Sequence, residues 1–190
     1  DGNQYNTVLI GDQCWMKENL NVGNFIQQSQ WAANNDTIEK YCYDDNTSNC
    51  DTYGGLYDWN EMMQYSSLPG SQGICPTGWH IPDTDDWFTL IEFLGGEWIA
   101  GGKMKETGTE YWSAPNTGAT NESGFNGLPG GQGIDMYYGF DDIYESGLWW
   151  SSSAYSSYFS YTLKLGYLVE NTGYYYSSNS GVKSIRCLKN

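Results

Sequence analysis

Helical periodicity is clearest in one stretch, PDTDDWFTLIEFLGG (residues 82–96), and its scarcity elsewhere limits what this chain can become. Trp87, Leu90, Ile91 and Leu94 fall at i, i+3, i+4 and i+7, a single apolar face. Asp83 or Thr84 is placed to cap the first turn, with acidic residues beside the positive end of the helix dipole. Gly95 and Gly96 end the helix. A shorter pattern, YGGLYDWNEMMQY (53–65), sets Leu56, Trp59, Met62 and Met63 at helical spacing. The rest reads as strand and turn. YNTVLIGDQCWM (5–16) is a hairpin around a Gly-Asp turn, and the polar residues 22–52 form a long loop. Beyond residue 100, GGKMKETGTEYW and NESGFNGLPGGQG are rich in turns. SYTLKLGYLVE (160–170) alternates, with Tyr161, Leu163, Leu165, Tyr167 and Val169 on one face and Thr162, Lys164, Gly166, Leu168 and Glu170 on the other. Val182, Ile185 and Cys187 then bring the chain's end near a core. Two helices, several short strands and long loops make an α+β plan, and 190 residues suit a single domain, 1–190.

The composition narrows the function. Aromatic residues at 17% mark a folded chain, and no apolar run is long enough to span a membrane. A net charge of −15 with 8 basic residues argues against nucleic acid as a partner. No signal peptide is visible, and the abrupt start at Asp1 suggests a processed or truncated N-terminus. The cysteines show no CxxC pair and His80 is the lone histidine, so zinc is not expected. Disulfides fit better, which implies an extracellular, cell-surface or virion-surface setting. Cys42 and Cys50 bracket a seven-residue loop, YDDNTSN, that a disulfide would close, and Cys75 and Cys187 could join mid-chain to C-terminus. Cys14 is left over, either a buried free thiol or a reactive one.

The last 40 residues, 151–190, hold 10 Ser, 7 Tyr and 3 Asn. They carry Lys164, Lys183, Arg186 and Lys189 against Glu170 alone, in an otherwise acidic chain. Tyr offers large amphipathic contact area at small entropy cost, and Ser and Asn offer adaptable hydrogen bonds. Residues 151–181 are therefore the expected binding face, on a scaffold of residues 1–150 plus the final strand. Its ligand-binding residues are Tyr155, Ser157, Tyr158, Tyr161, Tyr167, Asn171, Tyr174, Tyr175, Tyr176, Ser178 and Asn179. Tyr174 to Tyr176 follow Gly173 in a turn and cannot all be buried.

Other candidates read as structural. Trp149 and Trp150 belong to a small sheet, and His80 is a hydrogen-bonded residue with no carboxylate partner suggested by the sequence. Asp85, Asp86 and Glu61 are carboxylates that could do acid–base work, but Asp85 and Asp86 sit in a helix first turn, where capping and the helix dipole explain them better. Asp44, Asp45 and Asp51 supply oxygens that suit calcium, but their spacing matches no EF-hand loop, and a solvated loop is the better reading.

IGDQCWMKENL (10–20), YCYDDNTSNCDTYGGLYDWNEMM (41–63), ICPTGWHIPDTDDWFTLIEFLGG (74–96), GFNGLPGG (124–131), WWSSSAY (149–155) and SIRCLKN (184–190) together resemble the Fibrobacter succinogenes major paralogous domain, in order and spacing, over nearly the whole chain. The resemblance implies a C-type-lectin-like fold, similar to that of the formylglycine-generating enzyme: two helices around small antiparallel sheets, with termini close together. It also supports the Cys75–Cys187 pairing. That enzyme depends on active-site cysteines in its C-terminal part, where this chain has only Cys187, so an oxidase is not expected. The Glu-Pro-Asn, Gln-Pro-Asp and Trp-Asn-Asp triplets of calcium-dependent lectins are absent. Some proteins of this fold are targets of diversity-generating retroelements, whose adenine-directed mutation of Asn codons yields Tyr, Ser, Asn and Asp. Residues 155–179 look like such an output. The expected function is thus non-enzymatic binding of a protein ligand. The alternatives are a carbohydrate-binding or adhesion module using the same tyrosines, or a structural surface or filament subunit.

Overall fold

The structure, a computed structural model, describes residues 2–135 and 138–190. In chain order its elements are β1 (Thr7–Ile10), β2 (Gln13–Met16), β3 (Asn24–Phe25), β4 (Glu39–Lys40), α1 (Thr47–Tyr53), α2 (Trp59–Met62), β5 (Trp79–His80), α3 (Thr84–Phe93) and α4 (Glu97–Met104), followed by β6 (Gly130–Asp135), β7 (Gly139–Ile143), β8 (Ser146–Ala154), β9 (Phe159–Gly166), β10 (Thr172–Ser178) and β11 (Leu188–Lys189). One sheet has the order β1-β2-β11-β5, a second β10-β9-β8-β6-β7, and β3 pairs with β4. The last strand, β11, lies between β2 and β5, setting Leu188 opposite both Trp15 and His80. This is an α+β fold with long loops, and the C-terminal strand sits beside the N-terminal hairpin.

β8 explains the paired tryptophans. Successive strand side chains point to opposite faces, and β8 is the middle strand of a sheet with a core on each side. Trp149 enters one core with Trp15, Trp87, Leu90, Phe125 and Leu163. Trp150 enters the other with Trp59, Met62, Met63, Ile81 and Ile185. Both are fully buried, and each indole N–H has a partner: Trp149 Nε1 donates to Asn19 Oδ1 (2.7 Å) and Trp150 Nε1 to the Tyr57 carbonyl (2.8 Å). Past Trp150 the pairing with β9 becomes irregular, and the serines turn to the helix layer. Ser152 N donates to the Pro82 carbonyl, and Ser153 Oγ accepts from Thr84 N at the start of α3.

α3 has the expected stripe and cap: Asp83 is the N-cap, closing a capping box with Asp86. Cys42–Cys50 and Cys75–Cys187 are both disulfides, with Cα–Cα distances of 5.1 and 6.0 Å. Cys14 is a half-buried free thiol.

The fold departs from the sequence reading in four places. The first is the helix count, which is four α-helices among the described residues, besides a 3-10 turn at Tyr43–Asp45. α1 lies in the stretch read as loop, started by Asn46, whose side chain accepts from Ser48 N. α4 follows directly on the α3 stop and contains Gly101 and Gly102, which lower helix propensity. Those glycines admit the β9–β10 turn: a Cβ on Gly101 would lie 2.6 Å from the Asn171 carbonyl, and Gly102 N donates to the Glu170 carbonyl. The second concerns strand bounds: β9 ends at Gly166, so Tyr167, Leu168, Val169 and Glu170 leave the alternation, and Gly173 lies within β10, not in a turn. The third is the basic excess of the C-terminal stretch, half of which is internal. Lys183 and Arg186 are each 1% exposed, and Lys164 pairs with Asp142 at 3.3 Å. The Arg186 guanidinium donates to Asn19 Oδ1 and to the carbonyls of Met16, Lys17 and Phe125, tying β2 to the chain's end. The fourth is His80, which does have a carboxylate partner. Its Nε2 lies 3.0 Å from Asp86 Oδ2 and its Nδ1 2.7 Å from Asn190 Oδ1, and chiefly the Asp86 contact raises its pKa.

Candidate ligand-binding face

β10 is the edge strand of the five-stranded sheet, and its register with β9 sorts the tyrosines. Thr172, Tyr174 and Tyr176 stand opposite Leu165, Leu163 and Tyr161, all on one face. That face begins in the core: Leu163 and Leu165 are buried, Tyr174 packs against them, and its hydroxyl donates to the Thr84 carbonyl (3.0 Å). Further along, the same face passes beyond the core. There Tyr155 stacks on Tyr176 with ring centroids 4.6 Å apart and planes 9° apart. Tyr161 meets Tyr155 edge-on at 5.7 Å, and Phe159 meets Tyr176 edge-on at 6.0 Å. The β8–β9 turn, held by Tyr155 N and Ser156 N donating to the Phe159 carbonyl, brings Ser157 and the exposed Tyr158 alongside. Asn179 lies next to them: its N–H donates to the Tyr158 carbonyl and its Oδ1 accepts from Ser160 Oγ.

The structure therefore gathers Tyr155, Ser157, Tyr158, Tyr161, Tyr175, Tyr176, Ser178 and Asn179 at one end of the sheet, with Tyr175, paired with Thr162, on the opposite side of β10 from Tyr176. Tyr175, Tyr176, Tyr155 and Tyr158 are exposed. Tyr167 and Asn171 lie at the other end, roughly 23 Å away along β9. Tyr167 packs against the core, and the Asn171 carbonyl abuts Gly101 of α4. Tyr174 is spent on the core side.

Beside the cluster is a depression of about 400 Å³. Trp31, Tyr65 and Tyr158 line it, with Asp58, Asn60 and Asn179. The loop bearing Trp31 is pinned by Tyr41, whose hydroxyl accepts from Ala32 N and donates to the Gln30 carbonyl. Asp58 caps α2, its Oδ1 accepting from Glu61 N (2.8 Å), and burial pushes its carboxyl up to about 6. Glu61, 1% exposed, accepts from Glu39 N and the Tyr65 hydroxyl, and burial raises its pKa too. Phe159, Trp31 and Tyr65 were missed by the sequence reading. Trp31 alone left a signal, a lone tryptophan in the polar run QQSQWAANND.

A second cleft, of about 420 Å³, lies among Glu18, Asp51, Tyr53, Glu106, Tyr111 and Asn126, with Arg186 also in its lining. The Tyr53 hydroxyl has no hydrogen-bond partner among the described residues, and burial pushes its pKa up to about 12. Among those residues no group of three or more His, Cys, Asp or Glu side chains is placed to hold a metal ion, and no helix is long and apolar enough to cross a membrane. Asp45 Oδ1 already accepts from Gln28 N (2.8 Å), while Asp51 lies on α1, apart from Asp44 and Asp45.

No curated protein and no solved structure matches the chain. The family model of the Fibrobacter succinogenes major domain matches residues 8–189, and the chain belongs to that family.

Proposed function

We propose that this domain is a non-enzymatic binding module of an extracellular, cell-surface or virion-surface protein, and that it contacts a protein ligand through the Tyr/Ser/Asn face at the end of β8, β9 and β10. One observation carries the reading. On a chain of net charge −15, the exposed residues at this end of the sheet (Tyr155, Ser156, Ser157, Tyr158, Phe159, Tyr176 and Ser178, with Tyr175 on the other side of the β10 edge) are all uncharged, and five are aromatic. Charge-poor patches rich in Tyr are the composition of contact surfaces, and rigid aromatic side chains there supply most of the binding energy. The test is binding to a panel of secreted and cell-surface proteins. Tyr158→Ala and Tyr175→Ser should each weaken a genuine ligand by about thirtyfold, the factor for a ~2 kcal/mol hot spot, without lowering the melting temperature. Ligand binding untouched by both variants would refute the reading. Sequencing the flanking DNA tests its finer form: a near-copy repeat differing mainly at adenines, beside a reverse transcriptase gene, would make residues 155–179 a diversified surface.

The unpartnered Tyr53 hydroxyl in the second cleft favours a second reading, a carbohydrate module. Ring faces, carboxylates and amides together suit a neutral sugar. Glycan binding lost in Tyr111→Ala but kept in Tyr175→Ser would support it.

A further inference from the structure

We propose that the depression lined by Trp31, Tyr65 and Tyr158 is a cation subsite of the tyrosine face, taking the side chain of a Lys or Arg of the ligand, with Asp58 as its counter-charge. The proposal rests on the protein-ligand reading above and names which residue type that ligand presents.

The first ground is an imbalance of charge. Asp58 and Glu61 are 9% and 1% exposed, and Glu39 stands close enough to both to raise their pKa values. Among the described residues the ion pairs are His80–Asp86, Lys103–Glu122 and Lys164–Asp142, so none of these three carboxylates has a cation. Buried carboxylates are ordinarily paired, because an unpaired charge away from water is costly. Two of the three are otherwise occupied: Glu61 is held by Glu39 N and the Tyr65 hydroxyl, and Glu39 accepts from Ala33 N and Asn35 Nδ2. Asp58 accepts from the backbone N–H groups of Glu61 and Asn60 at the α2 cap, neither of them a cation, and it lines the depression.

The second ground is the walls. Trp31 is 53% exposed and Tyr158 76%, large rings left in water in the lining of the same depression. A cation over an aromatic face is attracted by the ring quadrupole, and guanidinium and ammonium groups both use it. Asn60 and Asn179 also line the depression, and carbonyl oxygens of this kind can each accept a second hydrogen bond. An aromatic enclosure with one buried carboxylate discriminates against acidic and neutral side chains by charge, and against metal ions by having too few oxygen ligands. The site also lies at the rim of the uncharged face, where charged pairs set partner choice and register.

The experiment is titration of the intact domain with N-acetyl-arginine amide and N-acetyl-lysine amide, followed by the indole N–H resonances of its nine tryptophans. N-acetyl-glutamine amide and N-acetyl-glutamate amide are the neutral and acidic controls. The two cations should shift the Trp31 resonance saturably, in the millimolar range and less at high salt, and the controls should not. Asp58→Asn keeps the helix cap, since Asn caps as well as Asp, and should weaken cation binding at least tenfold with an unchanged melting temperature. Equal binding of the glutamine amide, an undisturbed Trp31, or an Asp58→Asn variant that binds as tightly as the parent would each overturn the proposal. The two readings fail separately. If Trp31 ignores the cations while Tyr158→Ala and Tyr175→Ser still lose a protein ligand, only the subsite is wrong. If the cations bind but no protein ligand depends on those tyrosines, only the face is wrong.

Discussion

The two disulfides should contribute very unequally to stability, and chain entropy gives the size of the difference. Cys75–Cys187 spans 112 residues and Cys42–Cys50 spans 8. Closing a loop removes disorder from the unfolded chain in proportion to the logarithm of its length, which gives about 4.8 kcal/mol for the long loop and about 2.5 kcal/mol for the short one. Packing losses nearly cancel in the comparison, because all four sulfur-bearing residues are at most 3% exposed. The difference left to measure is about 2.3 kcal/mol, or about 1 M in the urea midpoint for a slope near 2 kcal/mol/M. The assay is urea unfolding followed by tryptophan fluorescence. Cys75→Ala/Cys187→Ala is compared with Cys42→Ala/Cys50→Ala, both on a Cys14→Ser background so that no free thiol exchanges. The long-loop variant should unfold at the lower urea concentration. Coincident midpoints, or the reverse order, would show that native contacts and not loop closure set the contribution of these bonds.

Trp149→Ala and Trp150→Ala should each cost about 3–5 kcal/mol in chemical denaturation, although the residues are neighbours, because each empties a different core; a mild effect from either would mean that its core collapses around the gap. Burial pulls the pKa of Lys183 down to about 7. Between that value and 10.5 the unfolded chain binds more protons than the folded one, so stability should rise with pH, on the order of 1 kcal/mol per pH unit from pH 7 to 9. Lys183→Met should show a shallower rise, kept by Lys105, Lys40 and Arg186, whose pKa values burial also lowers; equal slopes would refute the assignment. Added calcium should leave the melting temperature unchanged, since Asp44, Asp45 and Asp51 do not converge with other acidic groups; a shift reversed by chelator would contradict this.

Local signals in the sequence were legible where local physics decides the outcome. The α3 stripe, its Asp83 cap and the Gly95–Gly96 stop follow from spacing within a dozen residues, as does the hairpin of β1 and β2. α4 was illegible because its glycines look like helix breakers, and their use appears only when the β9–β10 turn packs against them. The proposed binding face was half legible. Composition pointed to the tyrosines of the C-terminal stretch, but the β9–β10 register decides that Tyr176 joins Tyr155 while Tyr174 faces the core. The depression draws Trp31, Tyr158 and the pair Asp58 and Tyr65 from three separate segments, and no pattern in a linear chain announces such a meeting.

The placement of β11 has a consequence for how the domain is made. The strand at Leu188–Lys189 fills the gap between β2 and β5, and Cys187 beside it closes the long disulfide. During synthesis the β1–β2 hairpin therefore waits, with one edge open, for residues 188–189. The sheet is assembled from pieces far apart in sequence, and such non-local pairing is slow to form, so this first-begun sheet is among the last parts of the fold to close.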